Sequence, residues 1–336
     1  MSGLADRIRR GEPVDGLLGA VLGAASWVQR AGMRCKLRGP RVRVDARVIS
    51  FGNITAGGTG KTPAVIERAE QEIAAGHTVA VLSRGYGGAR VAEPLVHPPK
   101  SAPDARQLGD ELAMIARRVP QAWIVRSADR VAGALAAIKQ GCDVILLDDG
   151  YQAIALERDE NVLVVDAVNP FGNGHILPRG ILREPLSAMD RATHVILTRC
   201  DQAMELDATV ATIRRCCPTA PVRFTRHAPV GFIRLSDGET FPLEALRGKP
   251  VSAVCAIGHP ESFFTTLEAM GITLLERTAL ADHAAVPDAL LQRPHGIVIT
   301  EKDAARLSHF PDNAFALTIR LEDQEYARGL HPLHIH

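Results

Sequence analysis

Aromatic side chains are scarce in this chain: phenylalanine, tryptophan and tyrosine together make up 4% of its 336 residues. Few platforms are therefore available for stacking bases. Charge of one sign is not in excess either, because 39 basic residues nearly balance 38 acidic ones and leave a formal net charge of +1. No global field draws in a polyanion, and no nucleic-acid partner is expected. The six cysteines (Cys35, Cys142, Cys200, Cys216, Cys217 and Cys255) include no C-x-x-C pair and no histidine at zinc-finger spacing. They read as buried, reduced thiols, which excludes a disulfide framework and points to the cytosol. No internal repeat or low-complexity tract is visible. What remains is 46% hydrophobic and 23% charged, enough for a substantial core in two domains or one large one.

The most informative segment is FGNITAGGTGKTP, Phe51 to Pro63, which follows the strand-like run Arg47-Val48-Ile49-Ser50. A glycine-rich turn between a strand and a helix lets backbone N–H groups converge on an anion, which makes this a phosphate-binding loop. Lys61 neutralises the outer phosphates, and the Thr62 hydroxyl is a ligand for Mg²⁺. Thr55, Gly57, Gly58, Thr59, Gly60, Lys61, Thr62 and Pro63 form the expected nucleotide-binding set. The spacing departs from G-x-x-x-x-G-K-[ST] at one place, since Thr55 stands where the first glycine belongs.

Beyond this loop, apolar runs at 78–82, 122–125, 143–147, 161–165 and 194–197 read as buried parallel strands. They alternate with helical stretches such as 111–118 and 128–140. The alternation predicts an α/β fold: a P-loop NTPase-like, doubly wound, mainly parallel sheet with ligands at the strands' carboxyl ends. Near Phe232-Ile233-Arg234-Leu235, the turn Ser236-Asp237-Gly238 gives a hairpin signature that breaks the rhythm. The expected organisation is a basic apolar region over 1–40, a P-loop core over 41–228, and a smaller α/β domain with its connecting β-hairpin over 229–336.

Several constellations carry chemistry. The run Val144 to Leu147 ends in Asp148-Asp149-Gly150-Tyr151-Gln152, and two adjacent carboxylates at a strand end repel unless a cation joins them, so they suit Mg²⁺. Arg84, in Ser83-Arg84-Gly85-Tyr86-Gly87-Gly88, could bind a phosphate. Asp110 and Glu111 open a helix after Gly109. Asp110 could accept a hydroxyl proton, although acids at a helix start also occur for the dipole alone. The long loop Asn169 to Pro185 reads as a lid or binding loop, whose Arg179 and Arg183 could hold substrate phosphate or shield transferring charge. The terminal Leu330-His331-Pro332-Leu333-His334-Ile335-His336 has no fixed ligand geometry and reads as a disordered end rather than a metal site.

The N-terminal segment is locally basic around the apolar run Leu17 to Val28, which falls short of the roughly 20 residues that span a bilayer. A core helix, a cleaved signal peptide and an interfacial helix remain open. Acidic Asp6, Glu12 and Asp15 spoil the signal-peptide pattern, and arginines beside Trp27 favour a helix lying on anionic headgroups.

In order, GNITAGGTGKTP, SRGYGG, GDE, DDGYQ, LPRGILREP, Asp282-His283 and Thr300-Glu301-Lys302-Asp303 resemble the tetraacyldisaccharide 4′-kinase family of lipid A biosynthesis over nearly the whole chain. Thr55 in place of the first glycine is itself that family's form. The resemblance implies an enzyme, peripheral on the cytoplasmic face of the inner membrane, that moves the γ-phosphate of ATP to the 4′-hydroxyl of an acylated glucosamine disaccharide 1-phosphate, giving lipid IVA. It matches Asp110 to the catalytic aspartate and His283 to the histidine that pairs with it. Lys61 and Thr62 match the triphosphate and Mg²⁺ ligands, with Asp148 and Asp149 at the acidic pair. Without the resemblance, His283 also reads as a helix-cap neighbour of Asp282. The rival function is a P-loop GTPase or ATPase serving as a switch or metal-delivery chaperone, against which stands the absence of an N-K-x-D motif. A dinucleotide oxidoreductase is set aside, since the loop ends in Lys-Thr and no G-x-G-x-x-G is present.

Overall fold

The computed structural model describes residues 4–9, 11–14, 16–37, 39–85, 93–258, 260–281, 284–307 and 310–326. Asp282, His283, Tyr86 to Gly88 and the terminal histidines lie outside them. Along the chain come α1 (Leu4–Arg9), α2 (Gly16–Leu37), β1 (Arg47–Gly52), α3 (Lys61–Ala74), β2 (Val79–Ser83), β3 (Leu95–His97), α4 (Ala105–Leu108) and α5 (Asp110–Arg118). They are followed by β4 (Trp123–Arg126), α6 (Arg130–Ile138), β5 (Val144–Leu147), β6 (Glu160–Asp166), β7 (His194–Thr198), α7 (Leu206–Cys216) and β8 (Val222–Arg234). The last part holds β9 (Thr240–Phe241), β10 (Pro250–Cys255), α8 (Pro260–Ala269), β11 (Thr273–Ala279), α9 (Asp288–Leu291), β12 (Gly296–Thr300), α10 (Glu301–Ala304) and β13 (Ala314–Asp323).

The strands expected from the apolar runs are all present, and the sheet they form is doubly wound and mainly parallel. Its order is β11-β10-β12-β13-β8-β7-β6-β1-β5-β2-β4-β3, with β9 beside β8. Antiparallel pairing is confined to β3 with β4, β13 with β8, and β9 with β8. Nearly every residue of β1, β2, β5 and β6 is buried, as strands covered on both faces require. One apolar layer joins α3 and α5 to the sheet, and another joins α6. The C-terminal half has its own layers, around Phe263, Phe264 and Leu267 and around Ile297 and Ile299.

Residue 229 lies inside β8. The first part of that strand pairs in parallel with β7 and the rest pairs antiparallel with β13. Both halves of the chain therefore share one continuous sheet. The hairpin is formed as expected, with Gly238 at φ 77° and Arg234 N–H bonded to the Glu239 carbonyl at 2.8 Å. β13 and α7 carry no expectation from the sequence reading.

At the strand ends, close backbone approach sets the geometry. A side chain on Gly52 would stand 2.6 Å from Tyr151 N and Cβ, so only glycine lets the exit of β1 lie against the turn after β5. The Gly150 N–H then bonds to the Phe51 carbonyl at 2.8 Å. Tyr151 is fully buried, and its hydroxyl donates to the Ala188 carbonyl at 2.7 Å. Among the described residues, no helix is long and apolar enough to cross a membrane. Tyr151→Phe would remove the buried bond to the Ala188 carbonyl and is expected to lower stability by about 1 kcal/mol in urea unfolding. An unchanged midpoint and slope would show that this bond does not fix the turn.

Candidate active site

The loop after β1 enters α3 through two glycines that only a residue without a side chain adopts readily, Gly57 at φ 113° and Gly60 at φ 80°. Helix α3 starts at Lys61, with Pro63 in its first turn, where the missing N–H costs no helical bond. Its free N–H groups and dipole face the loop, the arrangement that receives a phosphate. From beneath, the Thr198 hydroxyl donates to the Thr59 carbonyl at 2.9 Å. His227 on β8 also packs here: a side chain on Gly60 would meet its Nε2 at 2.6 Å. Burial, assisted by Arg199, pushes His227 down to about 4, so it is neutral at physiological pH.

The acidic pair at the end of β5 divides into two unlike carboxylates. Asp149 sits in the left-handed region at φ 52°. Its carboxylate lies 3.5 Å from Lys61 Nζ and accepts from one Arg183 nitrogen at 3.0 and 2.8 Å. Burial raises the Asp149 carboxyl, but Lys61 and Arg183 outweigh it and keep it below its ordinary value. Asp148 is 1% exposed, and its Oδ2 has no hydrogen-bond partner. Burial pushes its carboxyl up to about 7, Glu111 adding to the rise and Lys61 opposing it. Glu111, the second residue of α5, is the charge that raises Asp148 most after burial.

These donors fit Mg²⁺. A buried carboxylate oxygen without a partner, a second carboxylate and the Thr62 hydroxyl are hard oxygen ligands. Among the described residues there is no group of three or more His, Cys, Asp and Glu side chains able to hold a metal alone. Mg²⁺ is commonly held by one or two carboxylates, with nucleotide phosphates and water completing its shell.

The lid loop and the P-loop are stapled together. Ala56 N–H bonds to the Ile181 carbonyl at 2.7 Å, Arg183 N–H to the Ile54 carbonyl at 2.6 Å, and Thr55 bridges Leu182. The two lid arginines part company: Arg183 turns to Asp149, whereas Arg179 lies against Gly23 of α2. Arg84 is exposed at the end of β2. The Asp110 carboxylate is 2.5 Å from Arg306 Nε.

Three residues that the sequence reading passed over belong to this site: His227, Arg158 and Arg306. Arg158 donates to the Gly150 and Ala153 carbonyls at 3.1 and 2.7 Å and to Asn161 Oδ1 at 3.0 Å, fixing the turn that carries the acidic pair. Burial, with Arg191 nearby, lowers it to about 10. The sequence signal for Arg306 was its position three residues after Asp303.

Asp148 generates a pH prediction. The unfolded chain ionises it near 3.8, whereas the folded chain keeps the proton up to about 7. Between these values the folded state binds the extra proton, so this residue makes the ligand-free protein less stable as pH rises from about 4 to about 7. Asp148→Asn is expected to match the wild type near pH 4 and to exceed its stability near pH 7.5, in urea unfolding without nucleotide or Mg²⁺. Equal pH slopes for the two proteins would contradict the buried protonated carboxyl.

A sequence profile of the family described as tetraacyldisaccharide-1-P 4′-kinase matches residues 16–330. The chain is 40% identical to the tetraacyldisaccharide 4′-kinase of Anaeromyxobacter dehalogenans (strain 2CP-C), covering 98% of this chain and 93% of the relative. It is 39% identical to that of Jannaschia sp. (strain CCS1), covering 93% of each. Among solved structures, it is similar to LpxK from Aquifex aeolicus in complex with ATP, with a TM-score of 0.77 and 26% identity over 92% of this chain and 96% of that one. A P-loop seated on a doubly wound sheet, beside an acidic strand end and a helix that opens with Asp110, agrees with these likenesses, and the chain belongs to the tetraacyldisaccharide 4′-kinase family.

Proposed function

We propose that this chain transfers the γ-phosphoryl group of ATP to the 4′-hydroxyl of a tetraacyldisaccharide 1-phosphate, forming lipid IVA at the cytoplasmic face of the inner membrane. The observation that supports the reading is the approach of Lys61 from the P-loop to Asp149 at the end of β5, 3.5 Å apart, which joins the triphosphate and Mg²⁺ residues; in this reading Asp110, which opens α5, is the general base. Asp110 accepts the proton of the 4′-hydroxyl as its oxygen bonds to the γ-phosphorus. The bond from that phosphorus to the β–γ bridging oxygen breaks, and ADP leaves. His283 pairs with Asp110, as the family resemblance implies. Lys61 and the α3 N-terminus stabilise charge on the phosphoryl oxygens. Thr62, Asp148 and Asp149 hold Mg²⁺, which neutralises the outer phosphates when bound.

Helix α2 supports an approach from the membrane. Leu17, Val21 and Val28 recur on one helical face and are 84%, 59% and 66% exposed, with Trp27 beside them at 71%. The opposite face carries Gly23 and Ser26 and packs on the lid, where the Ser26 hydroxyl donates to the Ile176 carbonyl at 2.7 Å. The apolar face is thus not core, and it would lie in the headgroup boundary. In this reading Arg179, which lies against α2, and Arg183 and Arg84, nearer the P-loop, are the arginines that bind substrate phosphate.

The test is transfer of label from γ-labelled ATP to tetraacyldisaccharide 1-phosphate in detergent micelles, with and without Mg²⁺. Mg²⁺-dependent label on the lipid is expected. Label released only as inorganic phosphate would overturn the reading in favour of a switch or chaperone ATPase. Lys61→Ala and Asp110→Asn are each expected to cut turnover by roughly 10²-fold or more while leaving the circular dichroism spectrum unchanged. Removing residues 1–30 is expected to weaken co-sedimentation with anionic vesicles, and undiminished pelleting would refute the interfacial helix.

A further inference from the structure

We propose that the segment Thr300–Arg306, and Arg306 above all, is a clamp that positions Asp110 by gripping both ends of α5 from the C-terminal half of the chain. The inference rests on the kinase reading of the site. It assigns work to the Thr-Glu-Lys-Asp motif, which the phosphoryl-transfer scheme leaves unused.

At the start of α5, Arg306 Nε donates to Asp110 Oδ2 at 2.5 Å. At its end, one Arg118 nitrogen donates to both Glu301 oxygens at 2.8 and 2.9 Å, and Arg117 donates to the Ala304 carbonyl at 3.0 Å. The Arg118 and Glu301 side chains are only 9% and 10% exposed. A nine-residue helix is thereby held at both termini by a segment more than 180 positions away.

Arg306 is itself firmly seated. Its second donor group bonds to Asp303 Oδ1 at 3.2 Å. Asp303 is fully buried and accepts from Ala256 N–H at 3.1 Å and from the Thr300 hydroxyl at 2.6 Å. The Thr300 hydroxyl in turn accepts from Asp303 N–H at 3.1 Å, capping α10. This places a fixed arginine, 7% exposed, against a carboxylate that is 24% exposed. Arg306 engages one Asp110 oxygen, and the other is the one for the acceptor hydroxyl. The same guanidinium reaches the Ala284 carbonyl at 3.4 Å, one residue after His283.

A charge-assisted bond to an anchored arginine fixes an aspartate rotamer far better than solvent does, and catalysis depends steeply on that placement. Arg306 is a positioning residue, acting through Asp110. An ion pair serving the fold alone would be replaceable by packed apolar residues without effect on chemistry.

The experiment measures kcat and KM of the full-length protein in micelles, with saturating Mg²⁺ and ATP. Arg306→Met is expected to lower kcat about a hundredfold while KM for ATP stays within about twofold, and Arg306→Lys to recover about tenfold of the loss. In an Asp110→Asn background, Arg306→Met is expected to cost nothing further, since the group it positions is already gone. An unchanged kcat for folded Arg306→Met, or a loss that multiplies with that of Asp110→Asn, overturns the proposal. Should Arg306→Met not fold, as judged by circular dichroism, Arg306→Lys and Glu301→Gln are compared instead, and wild-type kcat in both overturns it. A wild type that labels no lipid overturns the kinase reading itself, a result distinct from an active wild type with indifferent variants.

Discussion

The site depends on how the charge of two adjacent carboxylates at the end of β5 is managed. Asp149 is neutralised by Lys61 from the P-loop and Arg183 from the lid, so one ion network ties together three segments distant in sequence. Asp148 is left without such a partner in a dry position and holds its proton more tightly than a solvated carboxyl does. Buried charges are tolerated only when paired, so the two carboxylates take different protonation behaviour from their different surroundings. The fixed turn supports this division: the positive φ of Asp149, the carbonyls bound by Arg158 and the Tyr151 anchor leave the two side chains little freedom.

Around that network, the sheet acts as the frame. β8 runs under the P-loop through His227 and then crosses into the C-terminal half, where it pairs with β13. The C-terminal half returns to the core through α10, which meets α5 at Arg118 and Arg117. The P-loop, the acidic pair and the start of α5 are therefore reached from both halves of one continuous sheet. On the outer side, α2 packs its small-residue face on the lid and turns its apolar face outward. The 169–185 loop thus lies between α2 and the P-loop.

Much of this was legible in the sequence where a local rule governs the structure. The phosphate-binding loop was readable because Gly57 and Gly60 must take positive φ, and the strands because parallel strands buried on both faces read as unbroken apolar runs. The acidic pair was readable from its place at a strand end. Arg306, Arg158 and His227 were not, because their roles come from contacts made only after folding: an arginine bound to main-chain carbonyls leaves no charge pattern in the sequence. The lid arginines show the same limit. Their chemistry was evident, but only packing sends Arg183 to Asp149 and Arg179 to α2. β13 was passed over because its identity as a strand follows from insertion beside β8.

The most direct measurement is a through-bond proton–phosphorus correlation spectrum of the lipid formed from tetraacyldisaccharide 1-phosphate, ATP and Mg²⁺. The account predicts a new phosphomonoester coupled to the proton on the 4′ carbon, beside the retained 1-phosphate. A new phosphomonoester on any other carbon of the lipid, or inorganic phosphate with no new phosphate on the lipid, would contradict it.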